Sequence, residues 1–374
     1  MRTHLPLYLL LFSFALSCAQ TDRTIQTPDP ADITYTTETV ISDPGILWGM
    51  EFLPDGGMLA TEKSGKLIHF KNGQKTNISG VPDVLQQGQG GFMGIKLHPN
   101  YEQNGWIYFS YASGEGEGDG ANTAVMRAKL QGSTLVENQL LYKASPNTGK
   151  GQHFGSRVEF DNEGYLFFSI GDRGNRDVNP QDITRDGGKI YRLNDDGSIP
   201  SDNPFIDRTN AKKAIYSYGH RNAQGMVKHP ETGAIWAHEH GPRGGDEINV
   251  IEKGANYGWP LITYGINYSG TKITSNTSLP GMEQPLYYWI PSIAPSGMTF
   301  VSGYVYPNWR GDLLVGSLVF RYLERMEIEN NQVIKREKLL ENIGRVRDVK
   351  QGPDGYIYLS VEGKGILKIV PKNS

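Results

Sequence analysis

The chain has 374 residues, of which 37% are hydrophobic, and it contains 46 glycines and 21 prolines. This length and apolar content are enough to bury a large core, and the glycines and prolines indicate many turns. The 37 Lys and Arg residues nearly balance the 40 Asp and Glu residues, which argues against a nucleic-acid-binding surface and favours a small neutral partner.

The N-terminal segment is similar to a bacterial export signal. Residues 1–20 run from a short basic start through an apolar stretch at 5–12 to small residues, an order typical of a signal and too short for a membrane span. The small residues before Cys18 form a loose lipobox, which predicts a protein on the periplasmic side, anchored to the membrane by a lipid on Cys18. The alternative is ordinary cleavage after Ala19, which would give a free periplasmic protein.

Cys18 is the only cysteine of the chain, so the folded part has no thiol for a disulfide, a zinc cluster or catalysis. Metal chemistry there has to use oxygen or histidine ligands. Residues 21–32 are polar and include two prolines, which predicts a linker before the first strand. Residues 33–374 are expected to form a single domain.

One sequence unit recurs six times along the chain. In each copy a hydrophobic strand leads into a turn rich in Pro, Asp, Asn and Gly, and an aromatic or aliphatic strand follows, which is a hairpin signature. Six such units predict an all-β fold, a six-bladed β-propeller, and their uneven spacing predicts long inter-blade loops. A repeat-free pair of β-sandwiches and a propeller of seven or eight blades are the alternatives. The six turns lie at 52–56, 97–105, 160–164, 228–233, 306–311 and 351–355.

Three blocks, at 218–225, 238–249 and 256–260, are the densest in reactive residues and glycine. They resemble the signature of the glucose/sorbosone dehydrogenase family, and 239–249 together with 265–270 is similar to its aldose sugar dehydrogenase branch. The likeness extends from about residue 48 to residue 370. It implies an enzyme that oxidises aldose sugars at the anomeric carbon to lactones with pyrroloquinoline quinone (PQQ) and Ca²⁺, and that passes electrons to an external acceptor such as a quinone or a cytochrome.

Two residues match the catalytic groups of this family. His153 lies among glycines just before a predicted blade strand and matches the general base, a role that suits imidazole because its ordinary pKa is near neutrality. Arg221 matches a residue that contacts the quinone, where it would stabilise developing negative charge. The glucose-specific relatives have an aspartate where this chain has Gln152, so we expect a different base strength and sugar preference.

The resemblance also implies a set of cofactor contacts. Arg221 and Asn222 offer a guanidinium and an amide, while Arg345 and Arg347 share one side of an extended strand and can clamp carboxylates. From the residues alone, a salt bridge between blades and an exposed basic strand are simpler interpretations of these pairs. The remaining matches are Gln89, in a glycine-rich loop, and Trp289, for which ordinary packing is the alternative.

The fifth unit departs from the family. Relatives have a lysine that reaches the cofactor at a position where this chain has Val319 or Phe320. Arg321 is the nearest substitute in the sequence.

Metal binding is expected to rest on oxygen donors. Gly241 and Pro242 match positions whose backbone carbonyls hold the calcium beside the quinone. Glu247 and Tyr257 match a second, structural calcium site, with the Glu carboxylate and the Tyr backbone oxygen as ligands. The pair His238 and His240 could suggest zinc, but no third close ligand is evident in the sequence.

Two other functions are compatible with a propeller of this kind. A calcium-dependent lactonase or other hydrolase would share the fold and the metal but would not need Arg221, Arg345 and Arg347. A non-catalytic propeller that binds glycan or protein would need none of the catalytic residues. The resemblance favours the sugar dehydrogenase over both.

Overall fold

The computed structural model describes residues 34–372, which form twenty-four strands in six four-stranded antiparallel sheets. The predicted signal, Cys18 and the linker lie outside the described residues. The inner strands of consecutive sheets contact one another in a closed ring, so that the sheets are the blades of a six-bladed β-propeller. The prediction of six blades is therefore confirmed, and each of the six predicted turns joins the first and second strands of a blade.

The inner strand of each blade lies next to the ring axis, and the second strand pairs with it. Blades are numbered 1 to 6 in the order of their inner strands along the chain. The inner strands are β2 (Leu47–Phe52), β6 (Phe92–Leu97), β10 (Val158–Phe160), β14 (Ala223–Lys228), β18 (Pro295–Phe300) and β22 (Val346–Gln351). The second strands are β3 (Met58–Glu62), β7 (Trp106–Ser113), β11 (Leu166–Ile170), β15 (Ile235–Glu239), β19 (Leu313–Ser317) and β23 (Ile357–Val361).

The third and fourth strands of each blade lie farther from the axis. The third strands are β4 (Lys66–Lys71), β8 (Asn122–Gln131), β12 (Lys189–Leu193), β16 (Asp246–Val250), β20 (Leu323–Glu329) and β24 (Gly365–Pro371). The fourth strands are β5 (Gln74–Ile78), β9 (Thr134–Lys143), β13 (Ile215–Tyr218), β17 (Tyr287–Trp289), β21 (Gln332–Leu339) and, in blade 6, β1 (Tyr35–Ser42).

Strand β1 closes the ring, because the first strand of the described chain pairs antiparallel with β24, the last. Blade 6 is thus built from both ends of the fold, which leaves no open end to the ring. Among the described residues, helix is confined to one turn, α1 (Tyr101–Asn104), and a short 3-10 segment, Pro307–Trp309. Within 34–372, no helix has the length and apolar character needed to cross a membrane.

Glycines on the inner strands let neighbouring blades approach closely. A Cβ built on Gly94 would lie 2.3 Å from the carbonyl oxygen of Ser156 in the next blade, and one on Gly297 would lie 2.2 Å from Oδ1 of Asp348. A side chain at either position would push two blades apart. The inner strands therefore pack around a narrow axis, and long loops extend from the blades at 79–91, 144–157, 171–188, 194–214 and 251–286.

Charged side chains fill the axis. Arg157 donates from NH1 to Oδ1 of Asp348 across the ring, at 2.8 Å. Glu159 and Lys350 lie two residues after Arg157 and Asp348, respectively. Glu159 pairs with Lys96 at 2.6 Å, and Lys350 pairs with Glu51. Because residues two apart on a strand face the same way, these pairs form stacked layers inside the ring.

Candidate active site

A cavity of about 300 Å³ opens where the inner strands begin. Its walls come from residues just before an inner strand, such as Gln89 and Arg345, and from residues just after a second strand, such as Lys63 and His240. Neighbouring strands of a blade run antiparallel, so these two kinds of position lie at the same edge of every blade. The topology therefore gathers residues from five blades around one opening, with polar side chains from blades 1, 2, 4 and 6.

Arginines from blade 6 give the cavity a cationic wall. Arg345 donates from Nε to Oε2 of Glu362 at 2.6 Å, and Arg347 donates from Nε to Oε1 of the same carboxylate at 3.0 Å. Arg347 also donates to Oε1 of Gln224 in blade 4, at 3.2 Å. Although burial alone would raise it, Arg347 and Arg345 hold the pKa of Glu362 below its usual range. One carboxylate thus positions two guanidinium groups in the wall.

His153 stands beside this cavity on a strained loop. Its backbone has φ +57°, in the left-handed region that a side chain rarely adopts. Oε1 of Gln89 accepts from the His153 N–H at 2.9 Å. Gly171 is needed opposite, because a Cβ there would lie 2.3 Å from the carbonyl oxygen of His153. These contacts fix the loop and link His153 to a residue of the cavity wall.

Asp172 orients the imidazole. Its Oδ1 lies 2.6 Å from Nδ1 of His153, while its Oδ2 accepts from Nε1 of Trp259 at 2.9 Å. Although burial would raise it, His153, Arg221 and Trp259 hold the pKa of Asp172 below its usual value. An ionised carboxylate only accepts hydrogen bonds, so Nδ1 of His153 carries the proton in this pair.

The other ring nitrogen of His153, Nε2, makes no hydrogen bond within residues 34–372. Its lone pair is therefore available to accept a hydrogen bond or a proton from a ligand. Burial lowers the pKa of His153 below its ordinary value, and the charges of Arg221 and Arg173 act the same way, while Asp172 acts against them. The imidazole is therefore neutral at neutral pH, as a general base has to be.

Arg221 and Asn222 lie before the inner strand of blade 4. The Arg221 N–H donates to Glu239, and its NH1 donates to the carbonyl oxygen of His240 at 2.9 Å. Oδ1 of Asn222 accepts from Gly155 N–H at 3.0 Å, which holds the His153 loop. In the described part of the chain, Nε of Arg221 and Nδ2 of Asn222 are buried without a hydrogen-bond partner. Two buried donors are thus available to a ligand.

A second, much smaller cavity of about 10 Å³ lies beside Arg221. Glu239, Glu247 and Tyr257 are among the residues that line it. Burial and the neighbouring charges of Glu239 and Asp246 raise the pKa of Glu247 well above its ordinary value. A volume of this size holds one water-sized sphere, so the geometry and charge suit a small cation that would neutralise these carboxylates.

Comparison with known proteins decides the family. A sequence model described as glucose/sorbosone dehydrogenase matches residues 43–368 of this chain, which is nearly all of the propeller. The chain belongs to the glucose/sorbosone dehydrogenase family. The resemblance predicted from the three blocks is therefore confirmed.

Relatives in this family match over most of their length. Aldose sugar dehydrogenase YliI from Escherichia coli (strain K12) is 43% identical over 336 residues, which cover 87% of this chain and 90% of the relative. The crystal structure of the soluble aldose sugar dehydrogenase from Escherichia coli in the apo-form superposes with a TM-score of 0.87 at 40% identity, covering 91% of this chain and 100% of that one. The PQQ-bound form of aldose sugar dehydrogenase from Streptomyces coelicolor gives a TM-score of 0.73 at 25% identity, with 91% and 99% coverage.

Most residues that the family resemblance predicts for the site lie near one another. Gln89, Arg345 and Arg347 line the central cavity; His240, which the resemblance does not assign to the site, lines both it and the smaller one. The other predicted residues at the smaller cavity are Arg221, Gly241, Glu247 and Tyr257. Pro242 lies next to them, where its carbonyl oxygen accepts from Ser292 Oγ at 3.3 Å.

Trp289 is not part of this group. It lies in β17, the outermost strand of blade 4, where it is 1% exposed, and its Nε1 donates to Oε2 of Glu324 at 2.9 Å. It packs in the hydrophobic core with Trp236 and Ile248. Trp289 therefore fits the packing alternative, because an outer-strand residue of a blade does not reach the axis.

The other predicted positions have varied surroundings. Arg321 is exposed and does not line the cavity, although Val319 does. His238 and His240 direct Nε2 to the carbonyl oxygens of Ser296 and Pro295. Burial, with the nearby charges of Arg221 and Arg347, lowers the pKa of His240 to about 3, so it stays neutral.

The sequence interpretation missed four residues: Asp172, Trp259, Glu362 and Lys63. Three of them, Asp172, Glu362 and Lys63, follow directly or closely after a second strand, at the edge that faces the cavity. The sequence feature that these three residues share is a position just after the second strand of a repeat, and this feature could have identified them as site residues. Asp172 also supplies the negative charge beside the base that Gln152 cannot supply, and it does so from a different loop.

Replacing Asp172 with Asn tests the orienting role. Removing the carboxylate removes a charge that favours the imidazolium, so we expect the D172N variant to have a His153 pKa lower than that of the wild type. Histidine chemical shifts followed by NMR against pH measure it. Asp182→Asn, at a half-buried aspartate whose side chain accepts from Thr184, is the control. An unchanged or higher His153 pKa in D172N would contradict the assignment.

Proposed function

We propose that this protein oxidises aldose sugars at the anomeric carbon to lactones, with PQQ as the redox cofactor and Ca²⁺ bound beside it. The observation that carries the proposal is the placement of an oriented neutral imidazole, His153, next to a cavity whose wall holds Arg345 and Arg347. The family membership and the PQQ-bound relative support the same conclusion. Electrons would then pass to a separate acceptor, a quinone or a cytochrome.

The residues of the central cavity fit PQQ. This ligand has several carboxylates and a quinone, and the cavity has two guanidinium groups with one shared counter-ion, Glu362. Arg345 and Arg347 would hold carboxylates, since guanidinium groups bind them with two parallel hydrogen bonds. The unpartnered donors of Arg221 and Asn222 would bind polar groups of the ligand. Gln89 lines the same cavity from blade 2, and blade 1 lies between it and the two arginines.

The residues around the smaller cavity fit calcium. Calcium prefers carboxylate and carbonyl oxygens, and Glu247 with the backbone oxygen of Tyr257 supplies both kinds. Burial, together with the neighbouring charge of Glu239, raises the pKa of Glu247, and a divalent ion would favour its ionised form. The carbonyls of Gly241 and Pro242 would hold the calcium at the cofactor.

The proton step belongs to His153. When bound, PQQ supplies the hydride acceptor, and calcium supplies Lewis acidity. Nε2 of His153 removes the proton from the anomeric hydroxyl of the sugar. Nδ1 keeps its own proton and donates it in the hydrogen bond to Asp172. The carboxylate stabilises the imidazolium that forms, in the way a carboxylate supports the histidine of a catalytic triad. Arg221 adds positive charge next to this pair.

Reconstitution tests the activity. The purified protein, given Ca²⁺ and PQQ, is expected to gain a quinone absorbance that aldoses bleach. We expect hexoses, pentoses and disaccharides to be oxidised with similar efficiency, because an open cavity with few paired sugar contacts loses little when one hydroxyl changes. The measurement is kcat/KM for each sugar. A preference for one sugar by several orders of magnitude would contradict broad specificity, and a quinone absorbance that no sugar bleaches would contradict the activity.

Single substitutions separate the base from the arginine clamp. His153→Ala should bind PQQ nearly as the wild type does and lower turnover by about 10² to 10⁴, the usual worth of a positioned base. Arg345→Ala or Arg347→Ala should weaken PQQ binding, and turnover should recover substantially at saturating cofactor. The measurements are PQQ titrations of each apoprotein in excess Ca²⁺ and sugar oxidation at saturation.

The exposed Arg310, in the blade 5 turn, provides a matched control as Arg310→Ala. Full turnover in the His153 variant, or wild-type affinity in both arginine variants, would show that the site is misassigned.

We propose that the protein is exported and held at the periplasmic side of the membrane by a lipid on Cys18. The lipobox-like order before Cys18 supports this. Cys18→Ala should move the protein from the membrane fraction to the soluble fraction, as measured by fractionation and by mass spectrometry of the mature N-terminus. An unmodified soluble wild-type protein that begins at Gln20 would contradict lipidation.

A further inference from the structure

The central cavity contains a third cation that the proposed function has not used. Lys63, from blade 1, lines the cavity together with Arg345 and Arg347 of blade 6. Its Nζ donates to the carbonyl oxygen of Gly88 in the loop before blade 2, at 2.5 Å. The side chain therefore spans the gap between two blades at the mouth of the cavity.

The backbone of Lys63 is fixed on both sides. Its N–H donates to the carbonyl oxygen of Ile46 at 2.9 Å, and its own carbonyl oxygen accepts from Phe92 N–H at 3.2 Å. Gly91 allows this approach, because a Cβ there would lie 2.1 Å from the carbonyl oxygen of Lys63 and 2.6 Å from its Cγ. The lysine stem thus leaves a rigid point and lies over Gly91, which limits where the ammonium can go.

The ammonium of Lys63 has no carboxylate of its own. Within residues 34–372 it forms no salt bridge, and the one carboxylate of the cavity wall, Glu362, is bonded to Arg345 and Arg347. Burial and the charge of Arg347 lower the pKa of Lys63, while Glu362 acts against them. The cavity wall thus has three cations and one carboxylate, and an anionic ligand would neutralise the excess positive charge.

Lys63 is also linked to the base. Gly88, which accepts from its ammonium, precedes Gln89, whose side chain accepts from His153 N–H. The loop at 88–91 is pressed against the His153 loop, since a Cβ on Gly88 would lie 2.2 Å from the carbonyl oxygen of Gly151. The loop at 88–91 therefore contacts both Lys63 and the His153 loop, so that a ligand bound to Lys63 is connected to the base through this one loop.

We propose that Lys63 is a cofactor-binding residue, whose ammonium bonds a carboxylate of the cofactor from blade 1 while Arg345 and Arg347 bond the cofactor from blade 6. This inference rests on the proposed function, because it takes PQQ as the anionic ligand. Glu362 has a positioning role in it: it pairs with both arginines of blade 6 and leaves Lys63, on the neighbouring blade 1, as the wall cation without a carboxylate partner among the described residues.

The test is a titration of the apoprotein with PQQ in excess Ca²⁺, followed by quinone absorbance and by quenching of tryptophan fluorescence, since Trp48 lines the cavity. Lys63→Gln should raise the Kd by about 10-fold to 100-fold, the value of a hydrogen bond to a charged group. Lys63→Arg, which keeps the charge, should stay within about threefold of the wild type, a change below 1 kcal/mol. The control is Lys66→Gln, at an exposed lysine of the same hairpin that pairs with Glu62 at 3.2 Å.

A purely structural role for Lys63 predicts different results. If Lys63 only ties down the loop at Gly88, K63Q should lower the thermal midpoint of the apoprotein, and the salt dependence of PQQ binding should not change. The proposal predicts the opposite: an unchanged apoprotein midpoint, and a shallower fall of affinity with NaCl, because one ion contact is gone. A lower apoprotein midpoint with an unchanged salt dependence would overturn it.

Wild-type affinity in K63Q would overturn this inference alone. Absence of PQQ binding by the wild-type protein would overturn the proposed function and this inference with it. Equal losses in K63Q and K63R would also count against a charge contact.

Discussion

The ion pair between Arg157 and Asp348 at the centre of the ring is the contact on which the site depends. Asp348 accepts from Arg157 NH1 at 2.8 Å and from Met50 N–H at 3.0 Å, and Arg157 also donates to the carbonyl oxygen of Gln224 at 2.9 Å. Blades 1, 3, 4 and 6 thus meet at one buried pair. Removing one partner of such a pair leaves an uncompensated charge, at a cost of about 3–5 kcal/mol.

This pair also lies next to wall residues of the central cavity. Arg157 stacks on Trp48, with 4.6 Å between the guanidinium carbon and the ring centroid, and Asp348 follows Arg347 in the chain. Trp48 and Arg347 are both wall residues. The arginine clamp, whose guanidinium groups Glu362 positions, therefore lies beside the contact that fixes the spacing of the blades.

The sequence predicted the fold well because the repeat is local. Each hairpin turn is read from residues adjacent in the chain, and six turns give six blades regardless of the loops between them. The residues before the inner strands, such as His153 and Arg221, were found through the family resemblance. Asp172 and Glu362 were not, because their partners, His153 and the arginines, are brought near only by antiparallel pairing within a blade, which no short motif records.

Tryptophan shows the same limit of sequence interpretation. Trp289 and Trp259 both lie in aromatic, loop-rich stretches, yet one packs in the core against Glu324 and the other donates to Asp172 beside the base. Which of the two joins the site depends on whether its backbone lies on an outer strand or in a loop that crosses the mouth. The composition around each residue carries no information about that distance from the axis.

The charges of the site are divided into two unlike halves. Lys63, Arg345 and Arg347 make the central cavity cationic, while Glu239 and Glu247 bring two buried carboxyl groups to the smaller cavity. His240 lines both and remains neutral, because burial beside Arg221 and Arg347 depresses its pKa to about 3. An anion alone would leave the buried carboxylates unbalanced, and a cation alone would leave the guanidinium groups unbalanced. The division of charge is thus suited to a pair of ligands of opposite sign, each of which lowers the cost of burying the residues that face it.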